Sequence, residues 1–241
     1  MNVDVPQRRL TIAVDAEGYS SRSFDGMKEV QRGLREVLDH VDEHGDLDRV
    51  DWDRQPQGDG EVAVLPPGTI EATAISNFIR GLSTALHHYN KSRNEEYRLR
   101  LRVAIDQGNI AVGEFGFIGN AVNAVCRMRD SDALRAALTS HPGAPFVVAV
   151  SDSIYSDVVA HGQEDLYRFT FNRHQLTNKD FRTTAWVHVS DDSTTPAKRH
   201  APDDTSGHTD PSPKRPVVHH SGTGNAYGGD HHGDTTFTTH G

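Results

Sequence analysis

The sequence predicts an α+β sandwich, with helices packed against a mainly antiparallel sheet. Three observations lead there. Apolar residues recur at helical spacing in some stretches and in short strand-like runs in others, giving the order βαββαββαβαββ. Several strands follow one another directly, so the chain is not a string of βαβ crossovers. Regular patterning also stops near Asp191, which leaves residues 1–190 as one domain of ordinary size. A ferredoxin-like split βαβ arrangement is the natural candidate.

The elements follow in order. "RRLTIAVDAEGYS" reads as a strand whose apolar run, Leu10 to Val14, stops at Asp15. "SFDGMKEVQRGLREVLDHVDEH" carries Met27, Val30, Leu34, Leu38 and Val41 at helical spacing. Two short strands lie around "LDRVDWDRQ" and "EVAVLP", joined by the turn "PQGDG". A second amphipathic helix is "TIEATAISNFIRGLSTALHHYN". "LRLRVAID" alternates as a strand and is expected to pair with "NIAVGEF" across a short "QG" turn. One helix is expected from Asn120 to Leu138, then the buried strand "PFVVAVS" and the short helix "DSIYSDVVA". "LYRFTFNRH" and "TTAWVHV" are expected to form a closing hairpin.

Residues 191–241 are rich in Gly, Ser, Thr, Pro, Asp and His, too poor in large apolar groups to offset the entropy of ordering, and are expected to be disordered. This tail holds seven of the fifteen histidines, including His219, His220, His231 and His232, but no spacing of a closed zinc site. A net charge of −9 without a basic stripe argues against nucleic acid as a partner. The single cysteine, Cys126, suits a reducing compartment. No run is long enough to span a bilayer and no signal-peptide core opens the chain, so a cytoplasmic protein with no membrane association is expected.

Two acids fall where strands end. Asp15 closes the first strand, and Asp59 sits in "QGDGE" between the next two. Paired carboxylates at a sheet edge suit magnesium or manganese held against a phosphate chain. At strand ends rather than in the core, both are expected to be replaceable without loss of the fold. In "GNAVNAVCRM", Asn123 and Arg127 lie one turn apart on a single helical face. Such a face is costly inside a core, so it meets either water or a ligand.

In combination these features resemble the class III nucleotide cyclases, the adenylate and guanylate cyclase catalytic domain. "AVDAEGYSS" matches the family's first strand, Asp59 its second metal acid, and "IGNAVNAVCRM" its helix motif. The resemblance runs from residue 8 to about residue 189 in the family's order. It implies that Asp15 and Asp59, with the carbonyl of Ala16, hold two Mn2+ or Mg2+ ions per site, and that Tyr19 contacts the substrate. It implies that Asn123 orients the ribose and that Arg127 binds the phosphate on which charge develops. In the family, the metal acids and the Asn/Arg pair of one site come from opposite subunits. All four occur here on one chain, so the resemblance implies a head-to-tail homodimer. The implied substrate is a nucleoside triphosphate.

The departures concern the base. Gln55 stands where adenylate cyclases carry a base-reading Lys, and Gly116 where they carry its acidic partner. A Gln offers a donor and an acceptor together, suited to the edge of a smaller base, with Arg54 as an alternative reader. "VDAEGYS" and the short helix entry look most like bacterial cyclases of anti-phage signalling (the Pycsar type). These make cyclic UMP or cyclic CMP from UTP or CTP and act through a downstream cyclic-nucleotide-activated effector. The alternatives are an ordinary purine cyclase or an inactive nucleotide-binding relative. "LTNKDFRTTAWV" occupies the place of the family's transition-state lysine, with Lys179 the nearest match and Arg182 a shifted one.

Overall fold

The structure, a computed structural model, describes residues 5–45 and 47–191. The tail expected over 191–241, with its histidine pairs, lies outside the described residues except for Asp191. Strand β1 (Gln7–Ala16), helix α1 (Phe24–Gly45), strands β2 (Asp53–Pro56) and β3 (Gly60–Val64), helix α2 (Glu71–Asn90) and strand β4 (Leu101–Gly113) come first. In space these strands run β2-β3-β1-β4, with β1 antiparallel to both neighbours. This is the expected split βαβ unit. The sheet continues from β4 into β6 (Phe146–Ser151), β8 (Phe181–Val189) and β7 (Asn172–Asn178). Because β4 and β6 are parallel, a crossover must join them. It contains strand β5 (Gly116–Ile118) and helices α3 (Asn120–Arg129) and α4 (Asp132–Ser140); the short α5 (Asp152–Asp157) follows β6.

Strand alternation divides the core into two layers. Leu10, Ile12, Val14 and Ala16 of β1 pack with Leu34 and Leu38 of α1 and Ile75, Phe78 and Leu82 of α2. On the opposite face Ala13, Ala104, Val147 and Ala149 pack under Val125 and Met128 of α3 and Leu134 and Leu138 of α4. The even positions of β1 therefore face α1 and α2. The odd positions, Asp15 among them, face the α3 side.

Three boundaries differ from the sequence reading. The chain does not reverse at "QG": Gly108 pairs with Arg9 inside a ladder that runs unbroken from Gln7↔Ile110 to Ala16↔Leu101. A ten-residue partner strand outweighs a local turn signal, and the reversal comes at Glu114–Phe115, closed by the pair Gly113↔Gly116. The helix expected from Asn120 to Leu138 is two helices. Ser131 leaves helical geometry, and its hydroxyl accepts from the Leu134 N–H at 3.4 Å as the cap of α4. In the closing hairpin, Leu166 is buried in the core of the α1 and α2 layer within a helical turn, and β7 starts only at Asn172. That hairpin closes at Lys179–Asp180, between the paired Asn178 and Phe181.

Candidate active site

The structure brings the two predicted acids together. Asp15 pairs in register with Gly60, and the Ala16 N–H donates to the Asp59 carbonyl at 2.9 Å. Gly60 permits this approach, since a Cβ there would lie 2.3 Å from the Val14 carbonyl oxygen. Asp59 is half-buried in the β2–β3 turn, whereas Asp15 is only 5% exposed. Its carboxylate meets Arg102, the residue opposite it on β4, through a two-point ion pair in which Nε donates to Oδ1 at 3.0 Å and Nη2 donates to Oδ2. Burial raises the Asp15 pKa above its ordinary value, and Arg102 opposes that rise. The expectation that Asp15 lies outside the core is thus corrected. A strand end here is covered by α3 and holds a buried charge pair.

Helix α3 answers the question raised by Asn123 and Arg127. Ala121, Val125 and Met128 face the sheet, whereas Asn123 and Arg127 are exposed on the outer face. Among the described residues Arg127 makes no ion pair; its guanidinium lies over the Phe181 ring at 5.7 Å from the centroid. The hairpin tip reaches the same helix, where the Asn178 amide donates to the Arg127 carbonyl at 3.3 Å. Lys179 follows at that tip, exposed and in the left-handed region with φ 53°. Arg182, the shifted alternative, is exposed on β8 opposite Thr177. The outer pair turns away from Asp15 of its own chain, which lies on the inner, sheet-facing side of α3.

Both positions named as base readers also meet. A Cβ on Gly116 would lie 2.6 Å from Gln55 Oε1, and Gly116 has φ +117°. The Gln55 amide therefore lies against the bare backbone at the entry to α3, where a side chain would displace it. Two other predicted substrate residues are not brought to this place. Arg54 is on the opposite face of β2, where it lines a groove with Arg35 and Leu38 of α1. Tyr19 packs against the α1 and α2 layer, and its hydroxyl accepts from the Gln31 amide at 2.9 Å.

Sequence reasoning missed Arg102, Gln57 and Arg129. Arg129, 8% exposed in the last turn of α3, donates from Nη1 to Gln57 Oε1 at 2.8 Å. It also grips Asp130 through Nε and Nη2 at 3.0 and 3.2 Å. Its positive charge acts on Asp15 as well. Gln57 lies two residues before Asp59, and its N–H donates to the Gly60 carbonyl at 2.8 Å. The signal for Gln57 was present, because it shares the face of Gln55 by alternation. Arg102 and Arg129 gave none, since their partners are set by register and helix packing.

No protein-family model and no curated protein matches the sequence. Solved structures match the fold. The chain is similar to the guanylyl cyclase Cya2 at 15% identity and a TM-score of 0.53, covering 80% of this chain and 96% of that one. An adenylate/guanylate cyclase/hydrolase from Silicibacter pomeroyi matches at 20% identity and a TM-score of 0.53, over 77% of this chain and 99% of that one. The catalytic core of a rhodopsin-guanylyl cyclase with converted specificity, in complex with ATPalphaS, matches at 12% identity and a TM-score of 0.51, over 78% and 98%. No helix among the described residues is long and apolar enough to cross a membrane. With its split βαβ unit and extended sheet, the chain has the fold of the adenylate and guanylate cyclase catalytic domains.

Proposed function

We propose that this protein is a nucleotide cyclase that converts a nucleoside triphosphate, UTP or CTP in preference to purines, into its 3′,5′-cyclic nucleotide and pyrophosphate. The observation that carries the reading is the two-sidedness of α3. Asn123 and Arg127 are presented outward, while Asp15 lies behind the inner face, with the backbone of Asp59 bonded to its neighbour Ala16. Each chain then offers two half-sites, completed by a second copy in a head-to-tail homodimer.

The donor set suits a hard divalent cation. The Asp15 and Asp59 carboxylates and the Ala16 carbonyl would supply oxygen alone, on adjoining strands, with the Asp15 carboxylate exchanging its ion pair with Arg102 for the ion. Two Mg2+ or Mn2+ ions held by these residues would lower the pKa of the ribose 3′-hydroxyl and neutralise charge on the triphosphate. In the reaction the 3′-oxygen bonds to the α-phosphorus, its proton passes to solvent water, and the bond from the α-phosphorus to the bridging oxygen breaks to release pyrophosphate. The Asn123 amide holds the ribose in line for this attack. The Arg127 guanidinium, planar and permanently charged, meets the phosphate oxygens in pairs as charge builds on them. Lys179, at the tip beside α3, adds a second cation.

Gln55 reads the base edge. Gly116 beside it leaves no acidic partner, so neither purine-reading side chain is present, which favours a pyrimidine. The anti-phage role and an effector responding to the cyclic product rest on the resemblance of "VDAEGYS" to the Pycsar-type enzymes. Incubation of the full chain with each of the four nucleoside triphosphates and Mn2+, with products identified by mass spectrometry, tests the proposal. Cyclic UMP or cyclic CMP as the main product supports it. A purine product replaces it with an ordinary cyclase, and binding without any product with an inactive module.

A further inference from the structure

We infer that Arg129, acting through Gln57, is a positioning residue that braces the acid-bearing turn against α3 and thereby couples the two composite sites of the dimer. The inference rests on the cyclase reading above and adds to it a residue that the resemblance assigns no role. The brace is a short chain of contacts. Asp130 fixes the Arg129 guanidinium from one side through two hydrogen bonds, at 3.0 and 3.2 Å. The remaining Nη1 donates to Gln57 Oε1 at 2.8 Å. Gln57 closes the turn onto Gly60 at 2.8 Å, and within that turn the Asp59 carbonyl accepts from Ala16 at 2.9 Å. A shift of the last turn of α3 therefore reaches the backbone that carries Asp59.

The guanidinium is almost wholly buried, whereas Gln57 is exposed. The fork of Arg129 is fixed inside the fold, and the amide it holds belongs to an exposed residue of the β2–β3 turn. The arginine thus ends on the loop that bears a site acid.

The coupling follows from the two faces of the helix. Two residues before Arg129, Arg127 stands on the outer face and serves the site completed by the other subunit. Arg129 holds the acid turn of the site on its own side. Phosphate engaging Arg127 at one site thus acts on the same rigid ten-residue helix that sets Asp59 in the other.

The discriminating variants are Gln57→Ala and Gln57→Glu. The first removes the acceptor from an exposed position and leaves the Arg129–Asp130 pair intact, so it folds. The second keeps an acceptor for Arg129 in the same place. Mn2+ binding to the full chain is measured by electron paramagnetic resonance, and binding of a non-cyclisable triphosphate analogue, lacking the 3′-hydroxyl, by calorimetry. The expected result for the unmodified dimer is a Hill coefficient for the analogue that differs from one. In Gln57→Ala we expect a loss in Mn2+ affinity of about two- to tenfold, the worth of the one side-chain hydrogen bond removed, and a Hill coefficient of one. Gln57→Glu should restore both. Independent sites in the unmodified dimer, or unchanged Mn2+ affinity and cooperativity in Gln57→Ala, overturn the inference. If no nucleoside triphosphate is cyclised by the unmodified chain, the cyclase reading itself fails, a result separate from these binding measurements.

Discussion

Replacing Asp15 by Ala is the perturbation with the largest consequence, because it acts on the fold as well as on the reaction. The side chains of Asp15 and Arg102 are 7% and 11% exposed, and they face each other across paired strands. Among the described residues, Asp15 is the acceptor of both hydrogen bonds that the Arg102 guanidinium donates. Truncating the acid leaves a buried cation without a partner, at a cost of about 3–5 kcal/mol. For a domain of this size each kcal/mol moves Tm by about 2–4 °C, so the midpoint should fall by about 6–20 °C. The double variant Asp15→Ala with Arg102→Met removes both charges and should recover most of that loss. Asp59→Ala, at a half-exposed turn, should stay within about 0.5 kcal/mol of the unmodified protein. Urea unfolding and thermal melts of the four proteins measure all three values. If Asp15→Ala unfolds within about 1 kcal/mol of the unmodified chain, the buried pair does not stabilise the sheet as argued. Loss of activity in Asp15→Ala is therefore interpretable only beside Asp15→Asn, which keeps the shape and one acceptor.

Three other outcomes are expected. An Asp59→Ala chain mixed with an Arg127→Ala chain should regain cyclising activity at one of its two sites; no recovery after demonstrated subunit exchange counts against the head-to-tail dimer. Gln55→Ala should reduce the preference for UTP or CTP over ATP and GTP more than it reduces the maximal rate, since the role proposed for the amide is at the base and not at the attacking oxygen, and competition assays give both numbers. His188, with Nδ1 3.1 Å from the Thr170 carbonyl and Phe146, Phe169 and Phe171 around its ring, is held by burial below its usual pKa of 6.5. The unfolded chain then binds a proton more readily, so stability is lost as pH falls from 6.5 towards the folded value, and melts from pH 7.5 to about pH 5 should show His188→Gln losing less than the unmodified protein.

The order of elements was legible because periodicity of apolar residues is a local property, and the first six elements fold as that order requires. What was illegible depended on pairing. Nothing near "QG" announces that β1 runs ten residues beside β4, and that ladder decides where the chain turns. Arg102 gave no sign of meeting Asp15, because the contact exists only in one strand register. Some missed features did carry a local signal. "RDSD" holds the Ser131 cap that divides α3 from α4. The two-residue period of a strand places Gln55 and Gln57 on one face of the β2 hairpin and Arg54 on the other, which separates Arg54 from Gln55 and Gly116.

Burial also separates two kinds of polar residue around α3. Asn123 and Arg127 face outward, so the folded chain loses little of their hydration, and replacing them should change binding and turnover while leaving Tm almost unmoved. Arg102 and Arg129 are 9% and 8% exposed, and each satisfies its charge within the chain. Replacing either must alter the fold and the acid site together. This asymmetry has a physical origin. A group that meets substrate in a shared site must remain open in the single chain, whereas a group that positions an acid must be held before substrate arrives. A polar residue on the outer face of α3 that unfolded the protein when replaced would contradict this division, as would an inner arginine whose removal left both stability and Mn2+ affinity unchanged.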